Sequence, residues 1–324
     1  MHDLEVREQR PDDEVEVLAL LQASLGWEAA EPYTAFFRWK HEQNPFGRSA
    51  AWVAVDGDRI AGFRTFLRWE FRRGAQSVRA LRAVDTATDP AYRGRGIFSE
   101  LTLHALDAVR DDVAFVFNTP NDQSRPGYLK MGWQTLGRIP ITFAPRSLAA
   151  LPRVARARVP AEKWSIPTEA GRPALDALAD DATVSALLAA SAVDDERLRT
   201  RLSPEYLRWR FGFPALAYRV LDLGSLDAGA VVFRLRARGA AIEAVIAQVL
   251  VPRGDRRAIP ALLRRVTAAT GADYAVMVGG TNGLRPPRAR LPGQGPIMTW
   301  RALGSTAMPP LAEWDLTMGD IELF

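Results

Sequence analysis

Apolar and polar positions alternate with period two across residues 50–89, "AAWVAVDGDRIAGFRTFLRWEFRRGAQSVRALRAVDTATD", and the turn dipeptides Asp56-Gly57 and Arg73-Gly74 break the run. The pattern predicts three consecutive antiparallel strands, the last one ended by Pro90. Upstream, residues 3–9 alternate as a first strand, and Pro11-Asp12-Asp13-Glu14 opens a helix to about Leu25 with acids in its first turn. A second helix covers Tyr33 to Glu42. Downstream come a helix from about Gly96 to Arg110, a strand at Val113–Phe117, a short helix at Ser124–Met131 and a strand pair from Trp133 to Phe143. The order β-α-α-β-β-β-α-β-α-β predicts an α/β fold: a mixed, mostly antiparallel sheet flanked by helices.

Periodicity fades between Pro145 and Pro167, where Pro, Arg and Ala dominate. The division expected is a first domain over 1–145, a linker over 146–170 and a second domain over 171–324. The second half echoes the first. "FFRWKHEQNPF" at 36–46 returns as "YLRWRFGFPAL" at 206–216, and Ala61-Gly62 and Arg73-Gly74 return as Ala228-Gly229 and Arg238-Gly239. An internal duplication is the reading favoured. The halves differ where the third strand of the meander meets its helix. Residues 81–88 lead into Arg93-Gly94-Arg95-Gly96, whereas 241–251 lead into "PRGDRRAIPALLRRV", with Pro260 and a single glycine.

Composition narrows the chemistry. The 324 residues include no cysteine, which removes thiolate nucleophiles, disulfides and sulfur-ligated metals, and histidines at 2, 41 and 104 offer no metal-ligand spacing and little for a Ser-His-Asp triad. No metal is expected. A pI of about 9.7 points toward nucleic acid, but the net charge is only +4, with 42 basic residues dispersed among 38 acidic ones. That balance describes a solvated surface and not a duplex-binding face. No long apolar run is present and residues 1–18 are too charged for a secretory signal, so neither membrane nor export is expected and a cytoplasmic protein is.

The stretch "AYRGRGIFSELT", residues 91–102, places two glycines between arginines directly before an amphipathic helix. The bland reading is a helix start preceded by a turn. The chemical reading is an anion cradle, because the first helical amides lack partners and the helix dipole adds partial positive charge. Glycine lets the backbone approach a ligand closely, and Arg93 and Arg95 add charge. A Rossmann-type dinucleotide site would need a parallel βαβ unit, and the antiparallel strands before Arg93 argue against it.

Arg93-Gly94-Arg95-Gly96-Ile97-Phe98 resembles the Arg/Gln-x-x-Gly-x-Gly/Ala phosphate motif of the GNAT superfamily of acyl-CoA-dependent N-acyltransferases, with Phe98 where that family carries a small residue. Asn121, Ser124, Tyr128 and Gly132-Trp133 are similar to a second motif of the family at its own spacing. The resemblance implies a GNAT sheet in the first half and a degenerate GNAT-like copy in the second, distantly similar to the tandem acetyltransferases of the Eis type. It implies that acetyl-CoA places its pyrophosphate on the amides of Gly94, Arg95, Gly96, Ile97, Phe98 and Ser99. The pantetheine arm would run along Thr86, Ala87 and Thr88, and Asn121 would hold an amide of that arm.

Acyl transfer to an amine needs an acid for the departing thiolate and a base for the ammonium proton. By resemblance Tyr128 is the acid; the alternative is a packed tyrosine bonded to backbone. Asp85, near the end of the motif strand, is a candidate base, against a turn aspartate accepting backbone bonds. Glu70 and Glu42 read as surface residues. "EWDLTMGDIELF" at 313–324 is apolar enough to dock, and Eis-like proteins use a terminal Phe carboxylate as base, which makes Phe324 a third catalytic candidate. Phe36, Phe37, Trp39 and Trp69 are core residues by their spacing, or an acceptor pocket.

The function expected is transfer of an acetyl group from acetyl-CoA to a primary amine of a small molecule or peptide. Two other readings stand beside it: an aminoacyl-tRNA-dependent tandem transferase, which the intact phosphate loop and weak net charge disfavour, and a non-catalytic CoA-binding module. The acceptor and the oligomeric state are open at this level.

Overall fold

The computed structural model describes residues 4–26, 32–156, 159–193, 195–253, 255, 258–278, 295–304, 307 and 309–322. In chain order the strands are β1 (Glu5–Glu8), β2 (Ala50–Asp56), β3 (Arg59–Arg73), β4 (Gln76–Thr88), β5 (Phe115–Asn118), β6 (Gln134–Arg138), β7 (Ile141–Pro145), β8 (Arg172–Pro173), β9 (Arg199–Thr200), β10 (Arg219–Asp222), β11 (Ala230–Arg238), β12 (Ala241–Leu250), β13 (Tyr274–Val278) and β14 (Ile297–Ala302). The α-helices are α1 (Glu14–Leu25), α2 (Tyr33–His41), α3 (Ile97–Ala108), α4 (Arg125–Lys130), α5 (Leu151–Arg156), α6 (Ala174–Ala177), α7 (Asp181–Ser191), α8 (Pro204–Phe211), α9 (Ala258–Thr270) and α10 (Met318–Ile321).

The chain forms two compact units: residues 1–137 with 296–311, and residues 138–295 with 312–324. In the first unit the sheet runs β1-β2-β3-β4-β5-β14-β6. β2, β3 and β4 are the antiparallel meander the alternation predicts, and β4 then pairs parallel with β5. A parallel pair needs a crossover, and α3 supplies it. Ile97, Leu101, Ala105 and Leu106 recur at helical spacing and pack on Trp52, Ala54, Phe66 and Leu81 of the sheet. On the other face α2 buries Phe36, Phe37 and Trp39. Those three residues and Trp69 are therefore core.

In the second unit the sheet runs β7-β13-β12-β11-β10-β8, and β12 and β13 pair parallel as β4 and β5 do. α9 covers it with Leu262, Leu263 and Val266 against Phe233 and Ile246. Each sheet thus repeats one plan: an antiparallel meander, a crossover helix and a parallel strand.

Two details depart from the sequence reading. The strands between Trp133 and Phe143 do not pair with each other; β6 belongs to the first sheet and β7 pairs with β13 in the second. β14, from the C-terminal half, takes the place beside β5, where Trp300 packs on Phe115 at 4.1 Å between ring centroids. The first unit therefore divides from the second after Gly137 and also includes residues 296–311, in place of the division at 145. Residues 146–170 carry α5 and an antiparallel bridge from Ile166 to Leu235, so this segment is part of the second unit's structure. Among the described residues no helix is long and apolar enough to cross a membrane, and no cluster of three potential ligands for a metal occurs.

Candidate active site

Gly94 and Gly96 hold φ of +78° and +81°, the left-handed region that glycine enters without strain, and Gly96 is the N-cap of α3. Ser99 and Glu100 are the first amides of this helix to reach a carbonyl, that of Gly96, at 2.9 and 3.0 Å. The amides before them have no partner within the helix. Residues 93–96 are exposed, and a Cβ built on either glycine meets nothing within 4 Å. The loop is an exposed stretch of backbone at the positive end of a twelve-residue helix.

Beside it the sheet opens. β4 pairs with β5 only over Ala80–Arg82, while its residues 83–88 pair with β3 alone. Along the far edge of that segment alternate main-chain groups face the gap left by β5. Thr86, Ala87 and Thr88 lie on this edge, with Thr86 Oγ1 donating to the carbonyl of Phe63 at 3.2 Å.

The register between β3 and β4 shifts at one point: Arg64 faces Thr86 and Thr65 faces Val84, leaving Asp85 as the extra residue of a β-bulge. Asp85 has φ of +24°, costly for a residue with a Cβ. The bulge turns its carboxylate toward α2, where Oδ2 accepts from Lys40 Nζ and His41 Nε2, both at 2.8 Å. His41 Nδ1 lies 2.9 Å from Ser49 Oγ, so Ser49, His41 and Asp85 form a continuous hydrogen-bonded array. Burial opposes ionisation of Asp85, but Lys40 and then His41 outweigh it and hold the carboxyl far below its ordinary range. His41 is displaced downward chiefly by burial, against the pull of Asp85, which keeps the ring neutral near pH 7.

On the opposite face of the sheet stands Tyr128. Phe63 meets Phe37 of α2 on one side, and Arg64, the next residue, points to the other. Arg64 Nη1 donates to Tyr128 Oη at 2.9 Å. A guanidinium can only donate, so this bond uses a lone pair of the phenol and leaves its O–H for another acceptor. The Tyr128 ring is held edge-on by Phe98 at 5.3 Å and packs tilted against Trp133 at 5.1 Å. Phe98 also covers Gly127, which explains a large side chain where the family motif has a small one. Asn121 is exposed and its Oδ1 accepts from the amide and hydroxyl of Ser124, at 2.8 and 2.9 Å, bracing the start of α4.

The structure therefore brings the glycine loop, the β4 edge and Tyr128 into one unit. It also adds four residues that sequence reasoning passed over: Lys40, His41, Ser49 and Arg64. A charged residue inside an apolar alternating run was the available signal for Arg64, and "WKH" at the end of an amphipathic helix was the signal for Lys40 and His41. Phe324 lies outside the described residues, as does part of the 253–257 segment before α9. The tail before Phe324 docks within the second unit, burying Trp314, Leu316 and Met318. Glu42 and Glu70 have surface roles, toward Arg48 and Ser77.

Comparison with known proteins agrees with this geometry. The family description "Acetyltransferase (GNAT) domain" matches residues 5–136. No curated protein matches the sequence. Among solved structures, a GCN5-related N-acetyltransferase from Kribbella flavida superposes with a TM-score of 0.62 at 17% identity, over 93% of this chain and 72% of that one. A GCN5-related N-acetyltransferase from Anabaena variabilis gives 0.62 at 11% identity, over 93% and 73%. Eis1 from Mycobacterium abscessus gives 0.52 at 16% identity, over 84% of this chain and 64% of its own length. At such identities the likeness to these structures is one of fold. Over residues 5–136 the chain is similar to the GNAT acetyltransferase domain.

Proposed function

We propose that the first unit transfers an acetyl group from acetyl-CoA to a primary amine of a small molecule or peptide, with the second unit as a degenerate copy that has no donor role. The observation that carries this reading is the alignment, in one unit, of an open helix N-terminus at Gly94–Ser99, an unpaired strand edge at Thr86–Thr88 and a phenol with a free O–H at Tyr128. The pyrophosphate binds the loop amides, with Arg93 and Arg95 adding charge, and the pantetheine arm hydrogen-bonds to the β4 edge. Asn121 holds an amide of the arm. Family members take their acyl group from acetyl-CoA.

In the reaction the amine nitrogen bonds to the thioester carbonyl carbon, the C–S bond breaks and the thiolate takes the proton of Tyr128. The ammonium proton leaves toward the opposite face, where Asp85, His41 and Ser49 form a relay. Asp85 alone is a weak base, since Lys40 already neutralises it, so the array and not the isolated carboxylate is the acceptor. Full turnover in a chain extended beyond Phe324 excludes its carboxylate as the base.

Titration calorimetry with acetyl-CoA tests the donor: the expected result is one site per chain, and no binding overturns the proposal. Tyr128→Phe should keep that binding and lower kcat by about 10²–10⁴-fold. Unchanged turnover in this variant would remove Tyr128 as the acid, and CoA binding without any turnover in the wild-type chain would favour the non-catalytic CoA-binding reading.

A further inference from the structure

Three arginines in the described residues are wholly buried: Arg64, Arg210 and Arg234. Each stands inside a unit where an unpaired cation is expensive. Arg234 offers the side-on edge of its guanidinium, Nε and Nη2, to the two carboxylate oxygens of Glu322 at 3.2 and 2.8 Å. Arg210 spends the same edge on the carbonyls of Gly319 and Glu322, at 2.7 and 2.6 Å. Arg64 differs. Its Nε and Nη2 have no hydrogen-bond partner, and no carboxylate of the described residues lies in ion-pair range of it.

The unsatisfied pair is the fork whose parallel N–H groups match a carboxylate. Its surroundings offer no substitute. The guanidinium lies over the rings of Phe66 at 4.3 Å, Tyr128 at 5.4 Å and Phe98 at 5.7 Å, and solvent reaches neither free atom. The remaining Nη1 is fixed on the Tyr128 phenol, so whatever occupies the fork lies within a guanidinium's width of the proposed acid. Thr86, opposite Arg64 in the register, lies on the strand edge along the gap. Of the three rings Phe98 is the least buried, and it forms the wall on the side of the phosphate loop.

We propose that the Nε/Nη2 edge of Arg64 binds a carboxylate carried by one of the two reacting molecules, beside the Tyr128 phenol. The carboxylate belongs either to the acyl group, making the preferred donor a dicarboxylic acyl-CoA, or to the amine, making the acceptor an amino acid or a peptide terminus. This inference rests on the acetyltransferase reading of the same unit.

Two arms separate the sources. In the first, calorimetry compares acetyl-CoA with malonyl-CoA and succinyl-CoA. In the second, kcat/KM with acetyl-CoA compares amino acids with their carboxamides. One arm should show a preference for the carboxylate on the order of a hundredfold in the wild-type chain. Arg64→Met and Arg64→Lys should abolish that preference, Lys because it keeps the charge without the fork. CoA itself should bind all three proteins alike, which certifies their folding and the donor site. Without ligand, Arg64→Met should melt above the wild-type protein, because an apolar side chain replaces an uncompensated buried cation. CoA binding with no carboxylate preference in either arm overturns this inference alone. Because Nη1 also bonds the Tyr128 phenol, absolute turnover is expected to fall in both variants on every substrate, and a carboxylate preference that survives in them overturns the inference. Failure of CoA to bind the wild-type chain removes the underlying reading and this inference with it.

Discussion

Asp85 gathers three unfavourable features into one residue: an extra position in a strand, a left-handed backbone and a buried charge. Lys40 and His41 make them tolerable together, since the buried ammonium needs an anion as much as the carboxylate needs a cation. Removing the anion should therefore cost more than relaxing the backbone returns. Asp85→Ala is expected to lower stability by about 3–5 kcal/mol, read from the urea midpoint, by leaving Lys40 uncompensated. Gly96 presents the opposite case. Its φ of +81° disfavours alanine by about 1–2 kcal/mol, yet the added Cβ meets no protein atom within 4 Å. Gly96→Ala should leave a folded protein with a small drop in melting temperature, while acetyl-CoA affinity falls at least about tenfold because the Cβ enters the space assigned to phosphate. Calorimetry and thermal melts on the same sample separate the two effects.

Between elements, the contact of α2 with the bulged end of β4 is an electrostatic joint. Burial lowers the pKa of His41 below its ordinary value of about 6.5, so the unfolded chain binds a proton there that the native chain does not. The stability contributed by this joint is complete above that pH and falls as the solution is acidified through it. Asp85, also held low when folded, moves in the same direction, and its share is lost only below the ordinary carboxylate range of about 3.9. Urea midpoints should drop between about pH 7 and pH 5, and His41→Gln should flatten that interval while leaving the steeper loss at lower pH. A pH-independent midpoint over this range in the wild-type protein would contradict the assignment. The α3 terminus offers the helix dipole and backbone donors, which do not titrate, so the phosphate binding proposed there should follow salt concentration more than pH.

At the level of the whole chain, each unit takes structure from both halves of the sequence. β14 lies beyond residue 295 yet lies between β5 and β6, and β7 precedes the second half yet closes its sheet on β13. A fragment ending at residue 145 would expose the edge of β5 and leave Phe115 without Trp300. Such a fragment is expected to be insoluble or to lack a cooperative thermal transition. Restoring residues 296–311 as a separate peptide should recover near-ultraviolet ellipticity from Trp300 if the fragment is otherwise competent. A fragment of 1–145 that melts cooperatively would show β14 to be dispensable. The tail contributes to the second unit in a related way. Desolvation works against ionisation of Glu322, but Arg234 and Arg236 hold its pKa below the usual value, and the carboxylate fills the fork of Arg234.

Local periodicity determined the meander of β2, β3 and β4, the helices α1, α2 and α3, and the glycine pair at the mouth of α3, because alternation, amphipathic spacing and turn dipeptides act over a few residues. Tyr128 was singled out by resemblance to a family motif and not by periodicity. The partners of a strand edge and of a buried charge are separated by long stretches of chain, and no local pattern names them. Only the tertiary structure decided that β14 and not β7 flanks the first sheet, that the bulge turns Asp85 onto Lys40 and His41, and that Arg64 reaches Tyr128 across 64 residues with one edge left open. Hydrophobic patterning chooses which face is buried; the geometry of the packed sheet chooses which polar groups meet there.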